Sequence, residues 1–237
     1  MYKAYIHFGT WVEDIFQKPV NHYCDILINR IDPIFAKPDE EFERSAQEFM
    51  EVAGSWYGDD VYEAGQAAHE HAFETVWQFV EMRPVFLATG VSGLFHLFEK
   101  QLYRHVNREL QQFLTTKISD WRSIQQLISQ FKWKVGDDKE CLDLINTFND
   151  QNLRELRLVA NAVKHGENGR SYHDLVNMRA PVVDAARLRD NGTVGPLSVL
   201  NVNLSVQIDD VIRYRNAIGR FWSLKDAFWA PVAIKHE

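Results

Sequence analysis

Read as a helix, residues 153–166 sort their polar side chains almost completely onto one side. At about 100° per residue, Arg154, Arg157, Asn161, Lys164 and His165 share an arc of roughly 100°. Leu153, Leu156, Leu158, Val159, Ala160, Ala162 and Val163 take the remainder, and only Glu155 breaks the pattern. A helix apolar over about two-thirds of its circumference is largely buried. Its narrow cationic strip is therefore expected to face a cleft, a partner chain or a small window of solvent.

Similar periodicity predicts helices over 42–56, 60–82, 86–113, 120–131 and 205–228, with Ser119 or Asp120 capping the fourth and Ser205 the last. Pro84 predicts a kink or a break. Residues 139–148 lead into the 153–166 helix across Asn149-Asp150, and Gly166 with Asn168-Gly169 stops it. Residues 1–38 contain Pro19, Pro33 and Pro38 and read as an irregular segment of short helices or a strand with turns. Residues 167–203 carry Gly169, Pro181, Asn191-Gly192 and Gly195-Pro196, which predict a long loop holding at most a short strand over 199–204. The expected fold is all-α: an antiparallel helical bundle in a single domain over 1–237, with 1–58 as an N-terminal elaboration.

The net charge of -7 argues against a broad, sequence-independent grip on nucleic acid, which depends on many Lys and Arg side chains. The acid is unevenly placed. Between 36 and 82, Asp39, Glu40, Glu41, Glu43, Glu48, Glu51, Asp59, Asp60, Glu63, Glu70, Glu74 and Glu81 face only Lys37 and Arg44. The rest of the chain is left close to neutral or slightly basic, so a local basic cleft is compatible with the total. Cys24 and Cys141 lie far apart and fit a reducing compartment, the uncharged run over 84–98 is too short to span a bilayer, and a cytoplasmic protein without a membrane partner is expected.

Spacing excludes several chemistries. His69 and His71 lie two apart on a helix and point about 200° from each other, so they cannot share an ion, and no Glu stands three residues before any His. Neither a metal nor another cofactor is expected. Thr89-Gly90-Val91-Ser92-Gly93 lacks the glycine spacing of a nucleophile elbow and reads as small residues permitting close helix packing. No phosphate-loop or dinucleotide motif is present. Two readings of the strip remain. In one, Lys164 and His165 complement the helix dipole and Arg157 pairs with acid across the bundle. In the other, Arg grips phosphate, Asn orients a hydroxyl or an imidazole, and His moves a proton near neutral pH. Those are the groups needed to cleave RNA without a metal.

Asn161-Ala162-Val163-Lys164-His165-Gly166 ends one helix, a long helix with Phe98-Glu99-Lys100-Gln101-Leu102 precedes it, and a helix ending Phe221-Trp222 follows. This arrangement resembles the HEPN superfamily of helical bundle proteins over residues 86–229, the HEPN-like core. The resemblance implies a metal-independent RNase, or an inactive relative that binds partners, in a bacterial toxin–antitoxin or antiphage system. It also implies a homodimer joining two motif helices, with His165 as acid/base and Asn161 supporting it. The family's catalytic Arg usually stands directly before the polar residue, where this chain has Ala160. Arg157, one turn earlier on the same face, is the substitute. Arg154 and Lys164, with Lys100, Arg104 and Arg108 on one helix and Arg213 and Arg220 on the last, are the candidates to bind RNA phosphates. The alternative function is a non-catalytic interaction module that docks an antitoxin or a defence-complex subunit through the same Arg/Asn/His face or the acidic 39–81 segment. A weaker one is a small-molecule enzyme with a pocket drawn from Trp11, Trp56, Tyr57, Trp77, Trp222 and Trp229.

Overall fold

The computed structural model describes residues 2–58, 60–114, 116–184 and 203–232. Helices dominate them. β1 (Tyr2–His7) is followed by α1 (Thr10–Ile26), α2 (Pro38–Ala53) and α3 (Val61–Glu109). Next come α4 (Trp121–Ile128), β2 (Trp133–Lys134), β3 (Asp137–Glu140), α5 (Asp143–Phe148), α6 (Gln151–His165) and α7 (Arg170–Asn177). The last helix, α8 (Ile208–Trp222), leads to β4 (Ala227–Val232). A small antiparallel sheet of order β1-β4-β2-β3 joins the two ends of the described chain, with Tyr2 opposite Val232 and His7 opposite Ala227. No helix among the described residues is long and apolar enough to cross a membrane.

The helical bundle is as expected, and several local readings are corrected. The N-terminal segment is regular: α1 buries Val12, Phe16, Val20 and Cys24 in the main core and packs against α8. Pro84 does not break α3, which continues for 49 residues. Its missing amide is outweighed by contacts on both sides, where the Phe35 ring meets Phe79 and Phe86 at 5.1 and 5.5 Å and Arg83 bonds Asp32 at 2.8 Å. The final helix is shorter than expected because it is capped at Gln207 by a reciprocal bond with Asp210 and stops at Trp222. The residues beyond follow a two-residue alternation, Phe228 and Ala230 buried and Trp229 half-buried, which suits a strand. Within the expected 167–203 loop, Arg170–Asn177 is helical and Pro181–Val183 forms a 3-10 turn. Most of the strand anticipated at 199–204 lies outside the described residues, and Asn203 and Leu204 are irregular.

Close packing of α1 and its extension against α3 is what the Gly90–Gly93 run permits. A β-carbon at Gly93 would stand 2.2 Å from the Tyr23 hydroxyl, which donates to the Gly90 carbonyl at 2.9 Å. Gly93→Ala is expected to destabilise the protein by about 1–3 kcal/mol, seen as a fall in thermal midpoint of several degrees. An unchanged midpoint would show that Tyr23 is free to move aside.

The core beneath β1 is aromatic and holds one titratable ring. His105 is fully buried, with the rings of Phe8, Phe16 and Trp222 at 5.2, 5.8 and 5.8 Å. Burial pushes its pKa down to about 4; the Glu109 charge opposes this, while the Arg108 charge adds to it. The folded value lies below that of an unfolded histidine, about 6.5, so this contribution to stability is intact above that pH and lost as pH falls towards 4. The loss approaches about 3 kcal/mol. Urea unfolding is expected to show the gap between wild type and His105→Gln narrowing from pH 7 to pH 4.5, whereas a pH-independent gap refutes the assignment.

Candidate functional site

α6 is a strong local helix former held at both ends. The Asp150 carboxylate accepts from the Asn152 amide at 2.8 Å and is itself gripped by Arg220 at 2.7 Å. Burial alone would raise the Asp150 pKa, but these bonds outweigh it and the group sits below its ordinary value. At the other end Gly166 takes φ 75°, a conformation open to glycine, and its amide closes the helix on Ala162. Lys164 and His165 lie in that final turn, where the helix dipole favours positive charge.

Glu155, which broke the sequence pattern, proves to be an inward anchor. It is 1% exposed and receives three bonds: Arg213 Nη1 to Oε2 at 2.8 Å, Arg213 Nη2 to Oε1 at 2.8 Å, and the Tyr214 hydroxyl to Oε1 at 2.7 Å. Arg213 also donates to Asn152 at 2.9 Å and Asp210 at 2.8 Å. The bond to Glu155 is the main reason that the Arg213 pKa is raised, and burial followed by Glu155 raises that of Tyr214. Glu155 and Asn152 lie roughly opposite the cationic strip at about 100° per residue. Arg213 therefore joins α8 to the concealed side of α6. Glu155→Ala, which strands this guanidinium, is expected to cost about 3–5 kcal/mol in urea unfolding, and a cost below 1 kcal/mol would show that Asp210 suffices.

The other candidate phosphate ligands divide in the same way. Arg220 is engaged with Asp150, and Arg108 lies over the Trp11 ring at 4.1 Å while contacting His105 and Glu109 at 3.3 Å. Lys100 and Arg104 are exposed on α3 with no hydrogen bond or ion pair among the described residues. Arg108 is directed toward α1, so the Lys100–Arg104–Arg108 stripe does not converge as a unit on the α6 strip.

The strip itself is open. Arg154, Lys164 and His165 are exposed, Arg157 and Asn161 are half-buried, and none of the five side chains has a hydrogen bond or an ion pair among the described residues. Arg157 lies 5.8 Å from the centre of the Trp121 ring at the start of α4. Burial lowers its pKa, the Arg154 charge lowers it further, and Asp174 on α7 opposes both. Ala160 is 1% exposed, so a longer side chain at that position would enter the core; Arg157 is the residue that reaches the strip. The turn after α6 is tight: a β-carbon at Gly169 would stand 3.2 Å from that of His165. Trp121 and Asp174 are not among the residues to which the sequence points. They come from separate elements, and only the helix-start signal at Asp120 marked where Trp121 would begin its helix.

The strip can hold an anion and present an imidazole. Arg157 and His165 are separated by about 12 Å along the helix axis, so together they suit an extended polyanion rather than one small group. The tryptophans do not share a pocket: Trp222 is buried in the core, Trp229 stacks on Trp133 in the sheet, and Trp56 and Trp77 are exposed. His69 and His71 contact different rings, Phe42 and Phe49. Among the described residues no three His, Cys, Asp or Glu side chains are grouped to hold a metal ion. Comparison with family models, with curated proteins and with solved structures finds no match for the chain.

Proposed function

We propose that this chain binds RNA along the outer strip of α6 and cleaves it without a metal ion, as a HEPN-like endoribonuclease. The observation that supports this reading is the state of Arg157. A guanidinium withdrawn from water normally finds a carboxylate, as Arg213 does, yet Arg157 is half-buried beside a second arginine with no ion-pair partner among the described residues. Anionic ligand would relieve that cost. Lys164 and Arg154 extend the positive line.

In this reading His165 accepts the proton of a ribose 2′-hydroxyl, whose oxygen bonds to the adjacent phosphorus as the phosphorus–5′-oxygen bond breaks. Asn161 orients the imidazole or the hydroxyl, and Arg157 grips a phosphate further along the strand. The matching His165 of a second copy, in the homodimer that the resemblance implies, protonates the departing oxygen. The products are a 2′,3′-cyclic phosphate and a 5′-hydroxyl. The bacterial toxin–antitoxin or antiphage setting follows from the resemblance alone.

Incubation of the purified chain with end-labelled RNA and a chelator tests this. Cleavage is expected to persist with the chelator, to fall by roughly 10²–10⁴ in His165→Ala, and to lose about tenfold in RNA affinity in Arg157→Ala. Activity abolished by chelation, or a His165→Ala rate equal to wild type, overturns the mechanism. Absence of RNA binding overturns the reading altogether.

A further inference from the structure

α2 and the first half of α3 form an arm whose packing is separate from the main core. Its buried alanines, Ala53, Ala64, Ala68 and Ala72, lie outside the core cluster. Eleven of the sixteen large apolar side chains left exposed among the described residues lie between Ile34 and Phe86, so the exposure is concentrated on and around this arm.

On α3 four of the seven exposed large apolar side chains make a stripe, with Val61, Met82 and Phe86 lying off it. Tyr62, Phe73, Trp77 and Val80 are 82%, 64%, 43% and 40% exposed. At about 100° per residue they fall, with His69, within an arc of roughly 80°, turned away from the Ala64–Ala68–Ala72 line that is buried in the arm. The stripe runs for about 27 Å, the footprint of a helix laid alongside. Glu63, Glu70, Glu74 and Glu81 border one side of it within roughly 40°, and among the described residues none of them meets a Lys or Arg.

We propose that this face of the arm docks an amphipathic helix of a different protein, one with an apolar stripe flanked by Lys and Arg. Charge selects that occupant. A second copy laid arm against arm would oppose two acidic borders, and an anionic membrane surface would meet the same repulsion. A helix with a basic flank covers the aromatic stripe and neutralises the unpaired glutamates together. The inference concerns a surface remote in sequence from the α6 strip and stands independently of the RNA reading.

The test uses the full chain and a fluorescent designed Leu/Lys helical peptide, with a Leu/Glu peptide of equal length as control. The Leu/Lys peptide is expected to bind in the micromolar range and the Leu/Glu peptide not at all. Phe73→Ser and Trp77→Ser, both at exposed positions, should each weaken binding about tenfold with helical content retained, and Val176→Ser outside the arm should leave it unchanged. Combined Glu70→Gln, Glu74→Gln and Glu81→Gln should weaken binding and flatten its salt dependence. The proposal is overturned if neither peptide binds, if both bind equally, or if Phe73→Ser and Trp77→Ser bind as wild type. It is equally overturned if the chain forms a dimer that Phe73→Ser dissolves, which assigns the stripe to a second copy. Co-sedimentation with phosphatidylcholine vesicles lost in Phe73→Ser assigns it to lipid and overturns the proposal too.

Discussion

Glu155 is removed from water on a helix whose other inward residues are apolar, and a lone carboxylate there would cost several kcal/mol. Its partners come from α8, so its burial is tolerable only when α6 and α8 stand in one register. Hydrophobic packing alone would permit some sliding or rotation between the helices. A bidentate fork with a third donor does not. Everything proposed for the opposite side of α6 assumes that rotational setting, because a turn of one residue would exchange Arg157 for Leu156 or Leu158.

The same charge is used in two ways on one molecule. Arg213, Arg220 and Arg108 are committed to Glu155, Asp150 and the Trp11–His105 corner, and they hold elements together. Among the described residues Arg154, Arg157 and Lys164 have no hydrogen bond or ion pair. A basic strip of that kind is compatible with a net charge of -7 because the excess of acid over base lies on the arm. Charge separation keeps the arm's glutamates from neutralising the strip in sequence-local pairs.

How much was legible in the sequence depended on whether the deciding contact was local. The two-sidedness of α6 was readable because a 3.6-residue period records burial directly, and Asp120 and Gly166 announced their helix ends by short-range chemistry. Glu155 was not readable, since its role depends on a residue 58 positions away, and for the same reason Arg213 looked like a free cation. Pro84 suggested a break because the amide it removes is local, whereas Phe35 and Asp32, which hold the helix together across it, are distant in sequence. β4 was absorbed into the last helix because a strand needs its partner, and β1 lies at the far end of the chain. The strip's residues were nameable in advance, but not which of them would remain unpaired.

α3 has a mechanical consequence. Its 49 residues make a rod of about 74 Å that begins in the arm and ends beside His105 in the aromatic core. Because the rod runs on through Pro84, the azimuth of the arm about the bundle is counted in residues. Each residue inserted or deleted along the shaft would swing the aromatic stripe by about 100° relative to the core, and a change of seven would nearly restore its phase. The helix thus acts as a vernier that sets the direction of the arm's surface relative to the core.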